Sequence, residues 1–180
     1  MLFQGSSLAD VVIFTDGYYP DPRVAGGDQT ARVGWLILER DTGIASVGSW
    51  DITDEYVQKW IPRKTQIVLV ETFAAVLAIE ALGDKISNKT VLLFVDAEAT
   101  QAALIKGYSA KEDMCGLVGY FWEMCADLSA GVYIDRVSTD ANPADGPSRG
   151  TCKQLQACGA LRMWATPSET LKNASPSGRH

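Results

Sequence analysis

Two short apolar, β-branched runs each stop at an aspartate, and this repeated ending constrains the fold more than any other feature of the chain. Residues 10–15 (Asp-Val-Val-Ile-Phe-Thr) run into Asp16-Gly17, and Val91–Val95 runs into Asp96. Segments of this length and composition predict central strands, the second covered on both faces. Open α/β sheets gather their ligand sites at the carboxyl ends of such strands. If the two strands are neighbours, the two carboxylates face one crevice.

The rest of the chain reads as an α/β order around these strands. Tyr18–Thr30 is rich in Pro, Gly and Asp and predicts a loop. Arg32–Glu39 and Ile44–Trp50, joined by the turn signal Asp41-Thr42-Gly43, extend the first strand into an antiparallel meander. Between Gln66 and Leu82, apolar residues recur at three-and-four spacing and Gly83 closes the segment, which predicts a helix with Glu71 in its first half. Further helices are predicted over Glu98–Ile105 and Gly116–Leu128, the latter with Leu117, Tyr120, Phe121 and Met124 on its core face. Gly131–Ser138 alternates as a fifth strand, and Thr139–Asp145 is a loop leading into a terminal helix. Asp135 on that strand is read as solvated, and Glu98 as the start of its helix.

Glu71 sits beside Val70 at the edge of an apolar stripe, where an unpaired carboxylate is costly. Carboxylates brought together cannot all stay ionised without cations, and the hard, oxygen-seeking ion available in cells is magnesium. The chemistry such a cluster fits is a two-ion clamp on a phosphodiester. One ion activates the attacking water and the other stabilises the leaving oxygen.

Four segments together resemble a known family. Thr15-Asp16-Gly17, Gln66 through Glu71 into the Ala-rich helix, Phe94-Val95-Asp96, and Asn142-Pro143-Ala144-Asp145-Gly146-Pro147-Ser148-Arg149 are similar to the four acidic motifs of ribonuclease H. The last is most similar to the ribonuclease H domains of retroelement reverse transcriptases, and the resemblance spans about residues 10–150. It implies a five-stranded mixed sheet, three strands antiparallel and two parallel, with helices on both faces. The implied activity is metal-dependent hydrolysis of the RNA strand of RNA/DNA hybrids, with two Mg2+ or Mn2+ ions held by Asp16, Glu71, Asp96 and Asp145. Asp16 would bridge both ions, Glu71 and Asp96 would hold the one on the nucleophile side, and Asp145 would complete the other. Gly17, Tyr18 and Arg149 are the candidate substrate contacts, Tyr18 by its place beside Asp16 and Arg149 as either a phosphate contact or a helix cap, and a polymerase domain of the same polyprotein is the implied partner.

The chain departs from the family in three places. No histidine stands between Ser138 and Asp145, Ala97 follows Asp96 where Asn or Ser is frequent, and Tyr108–Gly119 holds no basic, Trp-bearing handle. Other readings of the same fold fit less well. Proofreading exonucleases resemble an Asp-x-Glu pattern absent from Asp16-Gly17-Tyr18, and integrases end on Glu where this chain has Asp145. A non-catalytic connection module typically loses carboxylates that are all present here.

Composition adds limits. The net charge of −6 opposes nucleic-acid binding, but two divalent ions would bring it to about −2, and Lys106, Lys111, Arg136, Arg149 and Lys153 offer a local basic edge. Cys115, Cys125, Cys152 and Cys158 lack CxxC spacing and the lone histidine is His180, which argues against zinc and for reduced, mostly buried thiols. No apolar run approaches a bilayer span and no signal peptide is visible, so the expected location is intracellular, cytoplasmic or nuclear. Residues 1–7 read as the remnant of an engineered protease recognition site, 8–166 as the domain, and 167–180 as a polar, flexible tail. Tyr120, Phe121 and Trp122 are read as core rather than as a base-stacking platform.

Overall fold

The computed structural model describes residues 9–21, 23, 26 and 29–174; the residues read as a protease-site remnant and the end of the polar tail, including His180, lie outside them. In chain order the strands are β1 (Val11–Tyr18), β2 (Ala31–Glu39), β3 (Ile44–Ile52), β4 (Thr90–Val95), β5 (Gly131–Arg136) and β6 (Leu161–Arg162). The α-helices are α1 (Asp54–Val57), α2 (Ile67–Leu82), α3 (Glu98–Lys106), α4 (Glu112–Asp127), α5 (Asp145–Ser148), α6 (Lys153–Ala157) and α7 (Glu169–Ala174). The strands form one sheet in the order β5-β4-β1-β2-β3-β6. β2 is antiparallel to both β1 and β3, while β4 runs parallel to β1 and β5 parallel to β4.

The five expected strands are all present, and a sixth was not foreseen. β6 is two residues long and pairs in parallel with β3 at Ser46 and Val47. So short a strand carries no periodicity and shows only once the chain has folded back along β3.

Alternation along the strands divides the core. Val11, Ile13, Val33, Trp35, Ile37, Val91, Leu93 and Val95 point to the face covered by α2, α4 and α7. The opposite face carries Phe14, Leu36 and Val47, covered by Cys152, Leu155 and Ala160 of the segment around α6. β4 is accordingly buried on one face and only half-buried on the other, less enclosed than its apolar run predicts. Phe14 and Phe94 stack on this second face with ring centroids 4.8 Å apart.

α2 is the central helix, with Val70, Ala74, Ala75, Val76, Leu77, Ala78 and Ile79 fully buried. Its start is fixed by a buried ion pair. Asp113, at the start of α4, takes Arg63 Nη1 at 2.7 Å and Nη2 at 2.5 Å, and accepts the Ile61 N–H at 3.0 Å. Gln66 joins by donating to the Ile61 carbonyl at 2.9 Å.

Residues 167–174 differ from the expected polar tail. α7 docks on the core through Leu171, which is fully buried, while Ser168 donates its N–H at 2.9 Å and its hydroxyl at 2.5 Å to Glu80. One leucine and one hydroxyl anchor a segment whose composition is otherwise that of a solvated end. The cysteines are all free: Cys125 and Cys152 are buried, Cys115 is half-buried and Cys158 is exposed. Phe121 is fully buried, with Tyr120 and Trp122 packed against the same core. Among the described residues no helix is long and apolar enough to cross a membrane.

Candidate active site

Register explains why two distant aspartates meet. In the parallel β1–β4 pair Val11 lies opposite Val91 and Phe14 opposite Phe94, and continuing that offset sets Asp16 beside Asp96. Both have the parity of Phe14 and Phe94, so both leave the sheet on the same face. The expected strand end at Asp16 needs one correction. β1 continues to Tyr18 because its pairing with β2 extends to Tyr18–Arg32, whereas the pairing with β4 stops at Phe14. Asp16 therefore lies within a strand, just past the end of its parallel partner.

Glu71 comes to the same point from α2. Asp16, Glu71 and Asp96 each offer an oxygen within 4.8 Å of the others, and Asp16 and Glu71 are only 4% and 3% exposed. Gly17 permits the approach: a Cβ there would stand 2.7 Å from the Glu71 backbone nitrogen, too close for any real side chain. Its N–H donates to the Glu71 carboxylate.

The electrostatics record a site short of positive charge. Burial is the largest cause raising Asp16 to about 7; the Ser148 hydroxyl opposes it, and the charges of Asp96 and Asp145 add to it. Glu71 is raised well above the usual range, first by burial and then by the charges of Asp16 and Asp96. Glu71 Oε2 and Asp96 Oδ1 are buried with no hydrogen-bond partner. Orphaned buried carboxylate oxygens facing one another are the donor set that a hard divalent cation takes. The residues therefore fit a hard divalent cation.

Asp145 stands beside this triad rather than within it. It begins α5, near enough for its charge to be felt by Asp16, but its carboxylate accepts from Arg149 Nε at 2.8 Å. α5 is held against the sheet by Ser148, whose hydroxyl bonds to Asp16 Oδ2 and, at 2.9 Å, to the Asp145 carbonyl. Gly34 makes room for it, since a Cβ at that position would lie 2.3 Å from the Ser148 nitrogen. Asn142 ties the preceding loop to β1, donating to the Thr15 carbonyl at 2.9 Å, and Thr139 donates to Asp96 Oδ2 at 3.1 Å.

Ser148, Asn142 and Thr139 were not singled out as site residues from the sequence. Two of them stood inside the fourth motif, which was the only available signal. Of the expected substrate contacts, Gly17 packs against α2, Tyr18 lies under the Arg149 guanidinium at 5.6 Å, and Arg149 itself is ion-paired and more than half exposed. Glu98 starts α3 as read, its exposed carboxylate 3.6 Å from Arg136. Beyond Asp145, a groove of about 870 Å3 opens between the Thr139–Pro143 loop and α6.

A scan against protein-family models matched none, and no curated protein sequence matches the chain. The likeness to known proteins is one of three-dimensional structure. The LC11 RNase H1, solved in complex with an RNA/DNA hybrid, superposes with a TM-score of 0.54 at 17% identity over 81% of this chain and 99% of its own. The N-terminal RNase H domain of a Mycobacterium tuberculosis protein gives 0.54 at 13% identity over 85% and 100%. The protease-reverse transcriptase of prototype foamy virus gives 0.52 at 15% identity over 88% of this chain, which corresponds to 22% of that larger one.

Proposed function

We propose that this chain, which has the ribonuclease H fold, is a metal-dependent endonuclease that hydrolyses the RNA strand of RNA/DNA hybrids. The observation that carries this reading is the buried meeting of Asp16, Glu71 and Asp96 with two carboxylate oxygens left unpartnered. A scaffold has no use for such a cluster, because uncompensated buried carboxylates only destabilise it. A nuclease needs it.

Divalent ions bound there would lower the proton affinity of a water and neutralise charge on the phosphodiester. The chain's own residues supply the frame. Asp16, fixed by Ser148, and Glu71, fixed by the Gly17 N–H, present rigid ligands; Thr139 orients Asp96. Asp145, now paired with Arg149, would complete the set of carboxylates able to hold a cation. Discrimination of RNA rests on contacts to 2′-hydroxyls, the group that distinguishes the two strands. By the same reading the chain is the ribonuclease H domain of a retroelement polyprotein that works beside a polymerase in the cell, with residues 8–166 as the nuclease unit and α7 packed onto its core.

The test is incubation of an end-labelled hybrid with magnesium or manganese, comparing the native chain with Asp96→Asn. Internal cuts in the RNA strand are expected from the first and background from the second. Equal cleavage by both, or cleavage of the DNA strand, overturns the assignment. A net charge of −6 further implies that grip depends on a few phosphate contacts, and each loses about 3- to 4-fold in affinity between roughly 50 and 200 mM salt. Hybrid affinity measured with calcium should therefore fall on a straight log–log line whose slope counts those contacts.

A further inference from the structure

A second surface lies on the same face of the sheet, two strands from the carboxylates. Asp16 pairs with Gly34 and Gly34 with Ser49, so these three residues form one row, and Tyr18, Arg32 and Asp51 form the next row outward. At about 4.8 Å per strand, Ser49 stands about 10 Å from Asp16. Arg149 lies over Tyr18, and Arg32 packs on Gly150 while pairing with Asp51. Arg162 of β6 then donates to the Ser49 hydroxyl at 3.2 Å and contacts the Cys152 sulfur. Its guanidinium is stacked 4.6 Å from the centre of the Trp164 ring.

Trp164 is 81% exposed, far more than any other tryptophan here, and it borders a shallow cavity of about 410 Å3 with Ser49, Arg162 and the Arg32–Asp51 pair. Arginine covers one face of the indole and leaves the other to solvent. Three guanidiniums, from Arg149, Arg32 and Arg162, thus lead from the carboxylate site to an aromatic platform whose free face has no protein partner. Arg149 and Arg32 are paired with Asp145 and Asp51, whereas Arg162 meets only the Ser49 hydroxyl, the Cys152 sulfur and the Trp164 ring among the described residues, so its charge is the one the shelf offers to an anion.

We propose that this shelf binds an unpaired nucleic-acid strand continuing from the hybrid in the cleft, with a phosphate on Arg162 and a base stacked on Trp164. Bases inside a duplex are already stacked on each other, so an exposed indole takes only a base that has left the helix. The spacing suits this occupant. A displacement of roughly 10–15 Å corresponds to three or four nucleotide rises at about 3.4 Å each. The inference rests on the nuclease reading for its direction along the strand, but the shelf's affinity for single strands stands separately from catalysis.

The experiment measures fluorescence anisotropy of labelled single-stranded oligonucleotides and of hybrids, blunt or with a single-stranded extension at either end, on the full chain without divalent metal. Extended hybrids are expected to bind more tightly than blunt ones. Trp164→Ala should weaken single-strand and extended-hybrid binding about tenfold and leave blunt hybrids unchanged, while Trp164→Phe retains most of the affinity. A residue this exposed does not carry the fold, and matching melting temperatures for the variants check that. Should Trp164→Ala bind extended and single strands as the native chain does, the shelf is not a nucleic-acid site and its exposed indole belongs to a contact with protein. If the tenfold loss appears while no hybrid is ever cleaved, the shelf stands and the nuclease reading falls.

Discussion

Asp16→Asn is expected to yield a protein that is more stable than the native chain without metal and at least about 10^3-fold less active with it, a change that corresponds to several kcal/mol of lost ionic stabilisation. The two effects share one cause. Asp16 is almost wholly buried, and burial together with the charges of Asp96 and Asp145 raises it to about 7. An asparagine keeps the shape and can still pair with Ser148, but it removes a charge that the fold does not itself neutralise. With the native residue, the metal-free folded protein holds a proton that the unfolded chain has released throughout the interval from about 4 to about 7. Stability therefore falls as pH rises through that window and levels above it. Asp16→Asn should flatten this slope, and melting curves in chelator at about pH 5 and about pH 8 measure it. On the proposed reading, magnesium should reverse the situation by binding only the folded state, and is expected to add about 2.7 kcal/mol at a hundredfold excess over Kd for the native chain. An unchanged magnesium shift in Asp16→Asn would remove that residue from the metal site.

Asp113→Ala should cost about 3–5 kcal/mol, the penalty for leaving one partner of a buried ion pair uncompensated. Asp113 is fully buried, and its carboxylate gathers Arg63, the Ile61 N–H and the Met114 N–H. Burial alone would raise its proton affinity, but the Arg63 hydrogen bonds prevail and hold it below the ordinary carboxylate range. Its contribution is thus complete at neutral pH and lost only in strong acid, as pH falls through the lowered folded value. The consequence reaches the site, because the 61–66 segment it pins leads directly into α2 and Glu71. Urea titration of Asp113→Ala gives the stability loss, and Asp113→Asn, which keeps the size but not the charge, should fall between it and the native protein. Equal midpoints for all three would show that the pair contributes nothing to the fold.

The carboxylates could be read from the sequence because strand endings and helix stripes are local patterns. Asp16 and Asp96 announced themselves by terminating apolar runs, and Glu71 by sitting on a buried stripe where it had no reason to be. The residues that hold them in place left no such trace. Ser148 reaches Asp16 across 132 positions, Asn142 reaches Thr15 across 127, and Thr139 reaches Asp96 across 43. Contacts of that span depend on how the sheet closes and are invisible to a reading in windows. The short elements failed for a related reason. α1 has four residues and β6 has two, about one period of each pattern and too little for a repeat to show. α7 was hidden by its polarity, since only Leu171 commits it to the core.

The 132-residue reach between Ser148 and Asp16 also dictates when the molecule becomes competent. A nascent polypeptide still on the ribosome has its first aspartate long before it has the hydroxyl that steadies it or the neighbouring Asp145. The cleft is closed by a segment made after the strands it closes, so a product clipped before that segment is expected to lack the steadied Asp16 and, with it, any cutting activity.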